Sequence, residues 1–121
     1  MSESEVDQLL PLKPVWLHLL LAMASGHRHG YAMRQDVDRR TGGQIKIWPA
    51  TLYRGLTGLM DEGLVEEDPD ASGGDGDRER KLYRITPRGR QALAAEMRRM
   101  EALVQEARSL DLIVGDSGGH A

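Results

Sequence analysis

Apolar and polar positions alternate along the chain with periods that change from helical to strand-like and back. Residues 1–11 are mostly polar and end in Pro11, with Pro14 close behind, which predicts a loose N-terminal arm. From Val15 to Ser25 the run WLHLLLAMA is apolar nearly all the way round, the pattern of a helix buried on several sides. Gly26 supplies its stop. A chain of 121 residues has little material to surround such a helix, so a subunit interface is one expected cover. Met33 and Val37, spaced i, i+4, predict a second helix from about Tyr31 to Arg40, ended by Thr41-Gly42-Gly43. After Ile45-Lys46-Ile47, Pro49 stands at a first helical position. The helix it opens carries Leu52, Leu56, Leu59 and Met60 on one side. At about 100° per residue, Ala50, Thr51, Arg54, Thr57 and Gly58 fall on the other. That outward face is small and polar with one arginine near its centre, a shape suited to close approach by another surface.

Gly63 closes this helix, and Leu64 to Glu67 reads as a short strand. Residues 68–77, DPDASGGDGD, are turn chemistry throughout and predict a mobile loop. Lys81 to Thr86 alternates apolar and basic residues, so a returning strand is expected with Leu82 in register against Leu64 and Val65. Thr86-Pro87 is an N-cap followed by a first-position proline, opening a long helix to about Ile113. Within it Leu93, Met97, Met100, Val104 and Ala107 recur at 4-3-4-3, the spacing of a coiled-coil seam. The expected fold is mainly α with a small two-stranded β-wing: a winged helix-turn-helix plus a C-terminal dimerisation helix.

Charge changes this picture by its distribution. The net value of −3 argues against a polyanionic partner, but both ends of the chain are acidic. Residues 27–90 hold 12 basic against 11 acidic side chains, and seven of those acids fall between Glu66 and Glu79. Arg28, Arg34, Arg39, Arg40, Lys46 and Arg54 come before that acidic stretch, so a basic face is expected on a mildly acidic protein. Cysteine is absent, which removes disulfides and thiolate metal sites and fits the cytoplasm. The N-terminus lacks a signal peptide's basic region, and the longest apolar run is about half the ~20 residues a membrane span requires.

Five segments, in order and at matching spacing, carry a resemblance to a known family. They are His29-Gly30-Tyr31, Thr41-Gly42-Gly43, Pro49-Ala50-Thr51-Leu52-Tyr53, Glu62-Gly63-Leu64-Val65 and Arg80 to Gly89. Together they resemble the PadR transcriptional regulators over roughly residues 12–112. The chain departs from the family where Arg54-Gly55 replaces a common Pro-Ala and where Gly58 replaces a longer side chain. Both departures fall on the face expected to meet DNA. The resemblance implies a flexible arm over 1–11, a winged helix DNA-binding domain over 12–86, a dimerisation helix over 87–113 and a disordered tail over 114–121. It implies a repressor that binds double-stranded operator DNA as a homodimer.

In that plan the recognition helix enters the major groove with its N-terminal end first. Thr51 and Arg54 are then the expected base contacts, Arg54 bidentate to guanine O6 and N7, with Ala50 allowing close approach. The Tyr53 ring is expected to pack while its hydroxyl reaches a phosphate, although packing alone explains it equally. Lys46 before the helix, and Arg78, Arg80 and Lys81 in the wing, suit phosphate contacts. Dimerisation is expected through Trp16, Leu20, Leu93, Met97, Met100, Val104 and Ala107, spacing two recognition helices about 34 Å apart. A small-molecule effector at the dimer interface beside Trp16 is a further expected partner, whereas Trp48 reads as a packing residue.

Other chemistry finds little support. His27 and His29 lack a third ligand for a metal. Gly73, Gly74 and Gly76 lie between strands rather than before a helix, so they are turn residues and not a phosphate cradle. No nucleophile, base and acid converge, so neither an enzyme nor a cofactor is expected. The competing reading is a winged-helix protein-interaction module without DNA binding, favoured by the acidic wing.

Overall fold

A computed structural model describes residues 3–68 and 81–113. Among these described residues seven elements follow in order: α1 (Glu3–Asp7), α2 (Pro14–Ala24), α3 (Gly30–Arg40), α4 (Pro49–Asp61), β1 (Val65–Glu67), β2 (Tyr83–Ile85) and α5 (Pro87–Ser109). Helix α2 starts with Pro14 at its first position and ends where the Ser25 N–H bonds the Leu21 carbonyl and Gly26 turns to φ 107°. Its Leu17, Leu19, Leu20, Ala22 and Met23 are buried, because α3, α4, α5 and β2 all pack around it. Helix α4 sets Leu52, Leu56 and Leu59 into the same core at 1% exposure or less. Full burial of each contributes about 1.5–3 kcal/mol. Gly63, at φ 75°, lets the Leu64 N–H bond the Leu59 carbonyl and turns the chain into β1.

Strands β1 and β2 pair antiparallel with Val65 opposite Ile85 and Glu67 opposite Tyr83. The expected register, Leu82 against Leu64 and Val65, is therefore wrong. Leu82 instead forms a bridge with His29, and the Tyr83 N–H bonds the Arg28 carbonyl at 3.0 Å. The segment between α2 and α3 thus ties the wing root to the helical core. Thr86 caps α5 by accepting the Gly89 N–H at 3.0 Å.

The N-terminal segment also differs from expectation. Residues 3–7 form a helix that packs on α5, and Val6 and Leu12 are buried at 3% and 5%. The Leu12 N–H donates to the buried carboxylate of Glu96 on α5 at 3.1 Å, which pins this stretch where a loose arm was expected. Two of the residues assigned to dimerisation belong to the subunit's own core: Leu20 is fully buried and Leu93 is 8% exposed. They leave no surface for a partner, because the first half of α5 folds back over α2. Met97 and Met100 are partly buried against the same core. Apolar surface remains farther along, at Leu103, Val104, Leu110, Leu112 and Ile113. The predicted mobile loop from residue 69 onward and the tail from residue 114 lie outside the described residues.

Candidate nucleic-acid interface

Burying the three leucines of α4 forces its remaining faces outward or against a neighbour. Ala50, Arg54 and Thr57 are exposed, while Thr51 and Tyr53 are half-buried. Gly58, expected on the same outward face, is occupied by α2. A Cβ there would lie 2.8 Å from Cζ2 of Trp16, and one at Gly55 would meet Val15 and Leu19 at 3.0 and 3.1 Å. The two glycines therefore let α2 and α4 approach, and Trp16 packs within its own subunit. An open groove of about 850 Å³ results, with Lys13, Pro14, Val15 and Trp16 on one side and Ala50, Thr51, Arg54 and Thr57 on the other. The Lys13 ammonium sits 5.0 Å from the centre of the Trp16 ring. Sequence reasoning missed this wall, since a helical wheel does not record what packs beside the helix.

Charge pairing sorts the basic residues. Arg28 and Arg84 pair with the buried carboxylate of Asp68, and Arg84 also meets Glu66 at 2.6 Å. Asp68, expected in the loop, thus anchors the wing root. Arg39, Arg40 and His27 converge on Asp36, which is 3% exposed. Burial pushes the Asp36 carboxyl up, but hydrogen bonding and charge from Arg40, with His27 and Arg39, hold it below the usual carboxylate range. Burial and the nearby Arg40 push His18 down. The Arg34 Nε donates to the Ile47 carbonyl at 2.6 Å, and the Lys46 ammonium pairs with Asp38 at 2.9 Å. Among the described residues, Arg54 alone of the six basic side chains from Arg28 to Arg54 makes no ion pair or side-chain hydrogen bond.

Of the residues expected at a DNA interface, Ala50, Thr51, Tyr53 and Arg54 are brought together on α4. Lys46 precedes them on the approach to the helix. Lys81 lies apart, at the root of the wing, 3.6 Å from Glu67. Arg78 and Arg80 lie outside the described residues. Trp48 is not a packing residue: it is 62% exposed, as Tyr31 is at 64%. The signal for Trp48 was its place directly before Pro49, at the entry of the helix.

The sequence profile of the transcriptional regulator PadR-like family matches residues 19–95, well over half of the chain. The chain belongs to the PadR family. Among relatives of this PadR protein is the transcriptional regulator Rv3488 of Mycobacterium tuberculosis, 35% identical over 92 residues, which span 76% of this chain and 80% of that one. A transcriptional regulator structure from Clostridium thermocellum aligns with TM-score 0.58 at 22% identity, covering 83% of this chain and 92% of that one. The transcriptional regulator TA0346 of Thermoplasma acidophilum gives TM-score 0.61 at 20% identity over 83% and 92%. RosR of H. salinarum, in the complex structure of hsRosR-S4, gives TM-score 0.59 at 18% identity over 88% and 97%. These structures share the winged-helix fold seen here. As a PadR-family transcriptional regulator the protein is not an enzyme. No helix among the described residues is long and apolar enough to cross a membrane.

Proposed function

We propose that this regulator is a sequence-specific repressor that occupies double-stranded operator DNA as a homodimer through α4 and the wing. One observation carries the reading: among the described residues Arg54 stands exposed on α4 with no ion-pair or side-chain hydrogen-bond partner, while each basic side chain before it, from Arg28 to Lys46, has an acceptor within the subunit. An arginine held free beside small residues is suited to bidentate recognition of guanine in the major groove. Thr51, one turn earlier, supplies a second polar contact, and Lys46 and Lys81 supply phosphate contacts by exchanging their carboxylate partners. The apolar end of α5, with Leu103, Val104, Ala107 and Leu110, meets its counterpart in a second copy and sets the spacing of the two α4 helices. Such a protein works in the cytoplasm.

Selecting bound duplexes from a random DNA pool and following their affinity against salt tests the reading. Contact with about eight phosphates gives a log-log slope near −7. A salt-independent response, or no retained duplex, would support docking of a protein partner on the α4 face instead. Light scattering at micromolar concentration checks the dimer.

A second partner follows from the groove beside Trp16. A small-molecule effector held there, on the α4 face rather than at the subunit interface first expected for it, contacts Thr51 and Arg54 and so excludes DNA from the same surface. Release of a selected duplex by aromatic or cationic compounds, screened by fluorescence anisotropy, tests this.

A further inference from the structure

The chain has two tryptophans, three tyrosines and no phenylalanine, and three of these five aromatic residues gather at the leading end of α4. Trp48 immediately precedes Pro49 in an extended conformation and is 62% exposed. Tyr31, in the first turn of α3, is 64% exposed. A hollow of about 180 Å³ lies between Tyr31, Arg34, Lys46 and Trp48. A second, of about 340 Å³, lies between Tyr31, Arg34, Pro49 and Tyr53. The mount beneath these rings is firm: Ile47 is 3% exposed and its carbonyl accepts the Arg34 Nε at 2.6 Å. Trp48 is therefore displayed by a fixed backbone, although an indole ring has more apolar surface to gain from burial than any other side chain.

The occupant that fits is duplex DNA. The recognition helix enters the groove N-terminal end first, so the residue just before Pro49 leads it. Arg34 and Lys46 rim the hollow against the single acid Asp38, which leaves the rim positive. The major groove offers a flat apolar ring one matching feature, the 5-methyl group of thymine. The Tyr31 hydroxyl accepts a hydrogen bond from Gln35 Nε2 at 3.0 Å, so its own proton is left to donate.

We propose that Trp48 packs against a thymine methyl group in each half-site, with the Tyr31 hydroxyl donating to an adjacent phosphate. This deepens the DNA-binding reading and rests on it. It makes Trp48 a specificity residue beside Arg54.

Trp16→Phe leaves Trp48 as the only tryptophan, with the fold checked by circular dichroism. On saturation with a duplex selected from a random pool, Trp48 emission should change and its quenching by iodide should fall. Trp48→Ala should weaken binding to that duplex about tenfold, a usual loss for one base-pair contact. Deoxyuridine in place of the contacted thymine should cost the parent protein a similar factor and cost Trp48→Ala nothing further. Unchanged iodide access in the saturated complex overturns the proposal. So does an equal response of parent and Trp48→Ala to deoxyuridine at every thymine of the site. If the parent protein binds no duplex in a salt-dependent way, the DNA-binding reading itself has failed, and the proposal with it.

Discussion

Replacing Glu96 with glutamine should destabilise the protein by about 2 kcal/mol at neutral pH while keeping its shape. Glu96 is 1% exposed. Its Oε1 accepts Arg99 Nε at 2.6 Å, and its Oε2 accepts the Leu12 N–H at 3.1 Å and Arg99 Nη2 at 3.2 Å. Hydrogen bonds to a charged group contribute about 1.5–3 kcal/mol each and neutral ones about 0.5–1.5. The Arg99 side chain is 36% exposed, so water replaces part of what it loses and its bonds are discounted accordingly. Thermal unfolding should then shift by about 8 °C. The pH dependence makes the test specific. Hydrogen bonding from Arg99 lowers the Glu96 pKa, burial raises it, and the Leu12 N–H and the Arg99 charge lower it further, for a net fall below the ordinary 4.5. The unfolded chain therefore binds this proton first as pH falls. The stabilisation is complete above the ordinary value and disappears as pH drops through the folded value. Wild type and Glu96→Gln should differ most at pH 7, begin to converge below about pH 4.5 and meet only below the folded value. Asp36, also lowered, keeps an acid limb in both proteins. Urea midpoints across this range provide the measurement. A gap that stays constant down to about pH 3.5, or no gap at pH 7, would refute the reasoning.

Arg54→Ala should cost roughly 1–3 kcal/mol of affinity for a selected duplex and relax selection at one position per half-site; an equal loss on random DNA would make Arg54 a phosphate contact. Gly89→Ala should destabilise by about 2 kcal/mol or more despite the better helix propensity of alanine. Its Cβ would lie 2.1 Å from the Leu64 carbonyl oxygen, a backbone atom that cannot swing aside, and an unchanged urea midpoint would contradict this. Val104→Glu, at a site 37% exposed, should weaken self-association at least about tenfold without altering the circular dichroism spectrum; an unchanged mass by light scattering would remove α5 from the dimer interface.

The elements that sequence made legible are those whose signals are local. Pro49 and the leucines of α4, Gly63 at positive φ, and the Thr86 cap before Pro87 each act within one helical turn. What escaped depends on contacts far along the chain. Helix α1 has five residues, too few for periodicity, and Val6 gains its burial only by meeting α5. Strands of three residues carry almost no alternation, so their register follows the bridge between His29 and Leu82 and the bond from Tyr83 to Arg28. The all-round apolar character of α2 suggested a partner subunit, but α5 doubles back to cover it. Leu20 and Leu93 are core residues for that reason.

The same limit applies to the site, and it narrows the surface available for recognition. Helical geometry placed Gly58 outward with Thr51 and Arg54, which would have made the whole of α4 a reading face. Trp16 closes the C-terminal part of that face by lying against Gly58, while Val15 and Leu19 lie against Gly55. The departures from the PadR pattern at positions 55 and 58 therefore alter how closely α2 sits on α4. Only Arg54, of the departing residues, is left exposed on the face proposed to meet DNA. Charge follows a parallel logic: its distribution along the chain grouped the basic residues from Arg28 to Arg54 as one face, but pairing with Asp36, Asp38 and Asp68 divides it. The engaged cations hold α3, the turn and the wing root in place, and the one without a partner among the described residues lies in the second turn of α4. Architecture is thus carried by the paired members of one basic set and leaves Arg54 open, which is why composition pointed to a basic face but local pairing was needed to single out the residue proposed as its centre.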